Sequence, residues 1–247
     1  MISYADETGH SKDPNKEVVG IGALLASSEK WAIFDTEWKR VLRENGATEP
    51  FHMMEFSAFK GQFSLSAWDE PKRRKLLGEL MSVIEMADAV PIGAVVFIKD
   101  FNSLSEAQQQ QLVDPYFVAF QFVTYNLGMA AGLLNFPPIP AKMIYARQRE
   151  YSGRARELWR VFKAANPLVG LSMGSYEEGE PLHHAPLQAA DLWAYELGRH
   201  FQYVLPQGKP WRWAMKRLVY LGMRTGPGNQ LFTSFNRDDL LGKVDAD

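Results

Sequence analysis

The chain has 247 residues, of which 46% are hydrophobic and 23% charged, and it contains no cysteine. This composition is typical of a globular protein that can bury a large core, and it excludes a mainly disordered chain. Without cysteine there is no disulfide framework, thiolate zinc site or iron–sulfur cluster, so any metal must be held by carboxylates, histidines or carbonyl oxygens. The formal net charge of −2 gives no overall attraction for polyanions.

The N-terminal residues and the apolar runs predict a cytoplasmic protein. The first eight residues contain two acids and have neither the basic nor the apolar segment of a secretion signal. The longest apolar run, 117–134, is interrupted by polar residues and by Gly128, which favours a buried helix over a membrane span.

The first half of the chain predicts a hairpin followed by helices. Apolar runs at 2–5 and 18–25, separated by a stretch too short for a crossover helix, predict two antiparallel strands. Large apolar residues at helical spacing predict helices over 29–44 and 71–87, and a third apolar run predicts a strand over 90–98.

The second half predicts alternating helices and strands. Helices are expected over 109–134, 153–165 and 186–201, with strands over 142–146 and 169–173, then a short helix over 211–221 and a polar tail. This order predicts an α/β fold with a mixed sheet that starts with an antiparallel hairpin and is flanked by helices. We expect a single domain over 1–247, with a C-terminal helical extension over about 206–247.

Acidic residues occur at three places where α/β proteins carry chemistry. Asp6 and Glu7 follow the first strand, where ligands of such sheets collect. Glu55 lies three residues after His52, a spacing that places both on one side of a helical turn. Asp191 lies at the margin of the apolar stripe of helix 186–201, where an ionised carboxylate is costly without a cation or hydrogen-bond donors. Two divalent cations need such converging carboxylates.

Each of these acids also fits a purely structural role. The Asp6–Glu7 pair is compatible with an acidic turn, and Glu55 with a solvated helix start. Asp191 is compatible with a carboxylate held by a neighbouring arginine or by a backbone amide.

Three segments, ADETG at 5–9, FHMME at 51–55 and APLQAADL at 185–192, resemble in this order the signature blocks of the bacterial family called domain of unknown function 3800. The resemblance implies a ribonuclease H-like fold and metal-dependent nuclease chemistry. It implies that Asp6, Glu55 and Asp191 bind Mg²⁺ or Mn²⁺ and take part in catalysis. Glu7 is then a supporting or alternate ligand, and His52 orients a ligand or contacts the substrate.

One position departs from the family pattern. The strand over 142–146 would commonly end in an acid in that family, whereas this chain has Ala146. Loss of a shared carboxylate weakens at least one metal site. Three explanations remain open: Glu150 or another acid reaches the site, one metal suffices, or the chain is an inactive relative or an engineered variant.

Two basic segments, 142–163 and 209–224, suit contacts with a phosphate backbone, although solvated helix faces give the same pattern. Trp211 and Trp213 offer surfaces for base stacking or fasten the C-terminal helix to the core. His184 is either a substrate contact or a loop residue. The predicted substrate contacts are Arg147, Arg149, Arg154, Gln188 and His184.

The leading hypothesis is a divalent-metal-dependent nuclease with DNA or RNA as its partner. Ala146 motivates an alternative from another class, a binding or regulatory module that has lost its metal site. A third hypothesis is a hydrolase of small phosphate esters.

Overall fold

The computed structural model describes residues 1–48, 50–134, 139–148, 150–226 and 232–244. Within these ranges it contains one sheet, with the strand order β5-β4-β1-β2-β3-β6. β2 runs antiparallel to β1 and β3, whereas β4 is parallel to β1, β5 to β4 and β6 to β3. The strands are β1 Ile2–Thr8, β2 Val18–Ala26, β3 Val90–Phe97, β4 Ala141–Ala146, β5 Met173–Gly179 and β6 Phe232–Phe235.

Helices cover both faces of the sheet, so the predicted α/β class and the mixed sheet with its initial antiparallel hairpin are confirmed. One hydrophobic core lies between the sheet and α1, α3, α9 and α10, and the other lies beneath α6 and α7. The helices are α1 Ser28–Glu44, α2 Met53–Ser57, α3 Glu70–Met86, α4 Ile98–Asn102, α5 Glu106–Leu112, α6 Pro115–Leu134, α7 Ser152–Ala165, α8 Pro167–Gly170, α9 Ala185–Arg199, α10 Trp213–Thr225 and α11 Arg237–Val244, with a π-helical turn at His200–Val204.

Three predicted elements differ from the structure. The strand predicted over 169–173 is wrong, because Val169 belongs to the short helix α8 and the strand begins at Met173. The helix predicted over 109–134 is two helices, which separate at Val113 with a φ of 72°. Asp114 then accepts the amide hydrogen bond of Tyr116 at 2.8 Å and caps α6. The predicted helical extension also contributes β6 to the sheet.

Among the described helices, only α6 is long and apolar enough to cross a membrane. Its most apolar window is 56% buried inside the protein. Because α6 packs against β2 and β3, it is a core helix of this sheet.

Gly22, in the middle of β2, allows α9 to lie directly on the sheet. A β-carbon at this position would lie 2.6 Å from the backbone nitrogen of Ala194 and 2.8 Å from its α-carbon. A side chain therefore cannot fit without displacing helix backbone. Because Gly22 is the β2 partner of Asp6, this close packing holds α9 above the acidic end of β1.

The substitution Gly22→Ala should lower the free energy of unfolding by about 1–3 kcal/mol, because an extra methyl group overpacks the contact. Urea denaturation measures this change. Gly78→Ala in α3 is the matched control, since a β-carbon there meets nothing within 4 Å. It should stabilise the helix by about 0.5–1 kcal/mol, and an equal response of the two variants would contradict the packing argument.

Candidate functional site

A cleft of about 420 Å³ opens at the C-terminal ends of β1 and β4. Ligands of α/β sheets collect at this edge. Five segments contribute to the cleft: the end of β1 with its following loop, the residues before α2, the end of β4, the loop after β5, and α9. The lining residues are Asp6, Glu7, Thr8, Gly9, His10, Asp13, Lys16, His52, Met54, Ala146, Arg147, Gln148, Glu180, Pro181, Asp191 and Tyr195.

Asp191 enters the cleft from α9. Its Oδ2 accepts the backbone N–H of Met53 at 2.7 Å and lies 3.8 Å from Nδ1 of His52. The side chain is 19% exposed, so the amide compensates a mostly buried carboxylate, as one of the alternatives for this residue predicted. The neighbouring Asp191 carboxylate raises the pKa of His52.

Asp6 and Glu7 face the same cleft from β1. Oδ1 of Asp6 accepts the N–H of Glu7 at 2.9 Å, and the side-chain amide of Gln148 donates to Oε1 of Glu7. Burial raises the pKa of Asp6 well above its ordinary value, and Glu7 and Asp191 raise it further through charge repulsion. Burial also raises the pKa of Glu7. The cleft therefore concentrates negative charge whose repulsion is relieved by a proton or by a cation.

The donor chemistry of this cleft fits Mg²⁺ or Mn²⁺, because carboxylate oxygens are the ligands that hard divalent cations prefer. The arrangement is not a closed ligand set. Over the described ranges, no three His, Asp or Glu side chains lie close enough to hold one metal ion. Asp6, Glu7 and Asp191 can thus supply ligands only after side-chain adjustment.

Glu55, the third predicted metal ligand, does not line the cleft. Its side chain is exposed, and a β-carbon at Gly61 would lie 2.6 Å from its Oε2. The three-residue spacing fails because α2 begins at Met53 and leaves His52 in extended backbone. His52 therefore faces Asp191, while Glu55 lies against the loop that follows α2.

Gln188 is completely buried, which corrects its prediction as a substrate contact. Its Oε1 accepts the indole N–H of Trp38 at 2.8 Å and the amide of Phe51 at 2.9 Å. Its Nε2 donates to the carbonyl of Pro181 at 2.9 Å. Gln188 therefore ties together the segments that form the cleft walls.

Of the other predicted substrate contacts, only Arg147 lies at the cleft, where its Nη1 is 2.9 Å from Oε1 of Glu180. His184 packs against the ring of Tyr4, and burial lowers its pKa. Arg154 is exposed on α7, with its guanidinium over Phe117. Arg149 lies outside the described residues.

Ion pairs neutralise much of the two basic segments. Trp211 contacts His200 and Phe232, which favours a role in fastening the C-terminal helix, whereas the exposed ring of Trp213 lies against Arg217 of the same helix. The pairs are Lys142–Glu177 at 2.7 Å, Arg156–Glu178 at 3.9 Å, Arg212–Glu196 at 2.9 Å, Arg224–Asp88 at 3.0 Å, and Arg217–Glu85.

Ala146 lines the cleft where an acid was expected from the resemblance. Glu150 does not replace that acid, because Nε2 of His10 lies 2.9 Å from one of its oxygens and Lys12 pairs with the other. Glu180 follows Gly179, the β5 partner of Ala146, and does line the cleft. The loop after the neighbouring strand β5 therefore supplies one acid at this edge, although Ala146 supplies none.

Sequence reasoning missed Tyr195, Gln148 and Glu180 as cleft residues. Tyr195 could have been found, because it follows Asp191 by four residues on the same helix face. The other two lie in loops, whose positions depend on how β4 and β5 pair.

No protein-family model, curated protein or solved structure was found to match this chain.

Proposed function

We propose that this protein is a divalent-metal-dependent phosphodiester hydrolase, a nuclease that acts at the cleft between β1 and α9. The observation that carries this proposal is the meeting of Asp6, Glu7 and Asp191 in one cleft at the C-terminal edge of the sheet. The raised pKa values of Asp6 and Glu7 indicate that two ionised carboxylates are unfavourable in this cleft unless a cation neutralises them. The mixed sheet with a central hairpin is consistent with the ribonuclease H-like fold that the family resemblance implies.

The roles of the side chains follow from their positions. Asp6 and Asp191 would hold Mg²⁺ or Mn²⁺, with Glu7 as the neighbouring ligand. When bound, such an ion stabilises charge on a scissile phosphate and lowers the pKa of an attacking water. The amide of Met53 holds Asp191, and His52 beside it adds positive charge when protonated. Arg147 would contact phosphate at the rim by exchanging its ion pair with Glu180 for a phosphate oxygen. We also propose that the protein is cytoplasmic and that it belongs to the family whose signature blocks it resembles.

Purified protein incubated with Mn²⁺ and single- or double-stranded DNA and RNA tests this function. Asp191→Ala should lower the cleavage rate more than about 100-fold, beyond the 10–100-fold loss typical of residues that only support a metal ligand. Glu55→Ala is the matched control and should leave most of the activity, because Glu55 lies outside the cleft. Cleavage that survives Asp191→Ala would overturn the proposal.

A second candidate function is a binding module without catalysis. It is favoured by Ala146 and by the lack of a closed three-ligand group in the ranges that the structure covers. This candidate requires nucleic-acid or protein binding that EDTA does not change. Hydrolysis of nucleotides but not of polymers would instead identify a small phosphate-ester hydrolase.

A further inference from the structure

One accessible row of side chains runs along an otherwise buried helix. From Ala185 to Val204, through α9 and the π-helical turn, every residue is buried except Asp191, Tyr195, Arg199 and Tyr203. The four residues are spaced four apart, so they lie along one face of the helix. The row begins in the cleft, which Asp191 and Tyr195 line, and continues beyond it.

The π-helical turn keeps this row straight. Steps of four residues in a regular α-helix turn about 40° too far, because each residue advances about 100°. By Tyr203 the accumulated drift would be about 120°. The hydrogen bond from the N–H of Leu205 to the carbonyl of His200, at 2.8 Å, widens the turn there. Tyr203 therefore stays beside Arg199 instead of moving to a buried face.

The side chains in the row contact one another. The guanidinium of Arg199 lies 4.8 Å from the ring centre of Tyr203 and 6.0 Å from that of Tyr195. The buried Nε of Arg199 has no hydrogen-bond partner, and the side chain forms no ion pair with any described residue. The hydroxyl groups of Tyr195 and Ser57 are hydrogen-bonded to each other, which fixes the first ring.

A second cation lies in the cleft, on the loop between β1 and β2. Lys16 lines the cleft and forms no ion pair within the described part of the chain. Its loop is held near the π-helical turn, because Nε2 of Gln202 donates to the carbonyl of Asn15 at 3.2 Å. Six of the twelve lysines and arginines in the two basic segments form ion pairs with described residues. Arg199 and Lys16 form none with any described residue, so their charge is available for an anion at the cleft and along the row.

We propose that this row is a track for single-stranded nucleic acid that leads an unpaired strand into the carboxylate cleft. The inference rests on the proposed function and narrows its substrate to single strands or single-stranded ends. Tyr195 and Tyr203 offer faces on which unpaired bases stack, and Arg199 and Lys16 contact phosphates. Paired bases keep their faces within the duplex, so a duplex gains little from tyrosine rings.

The test measures binding separately from cleavage. Labelled oligothymidylate and oligouridylate of about 12 nucleotides, and a hairpin duplex, are titrated with protein in EDTA and again in Ca²⁺ by fluorescence anisotropy. We expect tighter binding of the single strands. Tyr203→Ala should weaken that binding about fivefold or more, whereas Tyr203→Phe should retain it, because the ring carries the stacking.

Arg199→Gln should weaken binding and reduce the slope of log affinity against log salt by about one. Two exposed residues on other helices provide matched controls, Tyr220→Ala on α10 and Arg160→Gln on α7, and both should bind like the unchanged protein. Thermal melts confirm that each variant is folded.

Equal single-strand affinity of Tyr203→Ala and Tyr220→Ala would overturn the track, as would equal affinity of the protein for duplex and single strand. Its failure differs from failure of the proposed function. If the protein cleaves nucleic acid but Tyr203→Ala binds single strands as well as the unchanged protein does, the protein is a nuclease without this track. If substitutions at Tyr203 and Arg199 weaken binding but the protein does not cleave, the track exists on a protein without nuclease activity.

Discussion

Replacing Asp6 with asparagine is expected to abolish metal-dependent cleavage and, at the same time, to stabilise the metal-free protein at neutral pH. Burial and the charges of Glu7 and Asp191 raise the pKa of Asp6 well above its ordinary value. An ionised Asp6 therefore opposes folding, and asparagine removes that charge. The cleavage rate with Mn²⁺ and the urea midpoint in EDTA measure the two effects.

The same pKa shift fixes the pH dependence of the metal-free protein. A carboxyl group with a raised pKa in the folded state contributes most to stability below its unfolded pKa, near 3.9 for aspartate. That contribution is lost as the pH rises through the folded pKa. The urea midpoint in EDTA should therefore fall on this account as the pH rises from about 4 toward neutrality, and Asp6→Asn should flatten the decline.

Glu150→Gln is the control for this experiment. Lys12 and His10 lower the pKa of Glu150, so loss of its charge should not stabilise the protein at neutral pH. Cleavage should be retained, because Glu150 does not line the cleft. An Asp6→Asn protein that cleaves normally, or that is less stable in EDTA than the unchanged chain, would contradict the view that Asp6 is a metal ligand whose charge destabilises the metal-free protein.

Gln188→Leu is expected to cause the largest loss of stability of any single substitution considered. The leucine leaves two buried donors, the indole N–H of Trp38 and the amide of Phe51, without acceptors, and removes the donor to Pro181. Each unsatisfied buried group costs about 1–3 kcal/mol. We expect a total loss of about 3 kcal/mol or more, measured by urea denaturation.

Gln207→Leu is the matched control, because Gln207 is exposed and its replacement should change stability by less than about 0.5 kcal/mol. Activity gives a second measurement. If Gln188 positions the cleft walls, Gln188→Leu should also lower cleavage at temperatures where the protein is still folded. Retained stability together with lost substrate affinity would instead support a direct substrate contact at Gln188.

The strands that could be predicted are those whose neighbours bury them on both faces. β2 is buried at every residue, and its unbroken apolar run was sufficient to locate it. β5 has the sequence MGSYEEG and alternates between buried and accessible positions because it lies at the sheet edge. Its polar residues hide the strand pattern, and the apolar segment before it, which includes Val169, predicts a strand in its place.

A site residue could be predicted where its position depends on which strand or helix carries it and not on the exact residue at which that strand or helix begins. Asp6 and Asp191 lie where a strand end and a helix face place them. The position of Glu55 depends on whether a one-turn helix starts at His52 or one residue later, which local spacing does not determine. Arg217 and Arg212 pair with Glu85 and Glu196, which both lie outside the segment 209–224, so counting charges within that segment could not reveal the pairs.

The accessible row on α9 makes that helix a natural target for protein engineering. Sixteen of the twenty residues from Ala185 to Val204 are buried and tie the helix to the sheet and its neighbours. The remaining four project into the cleft or beside it. Tyr195, Arg199 and Tyr203 can therefore be varied together in a small library, with the acid at 191 and the scaffold kept unchanged, to select altered preferences for nucleic-acid bases.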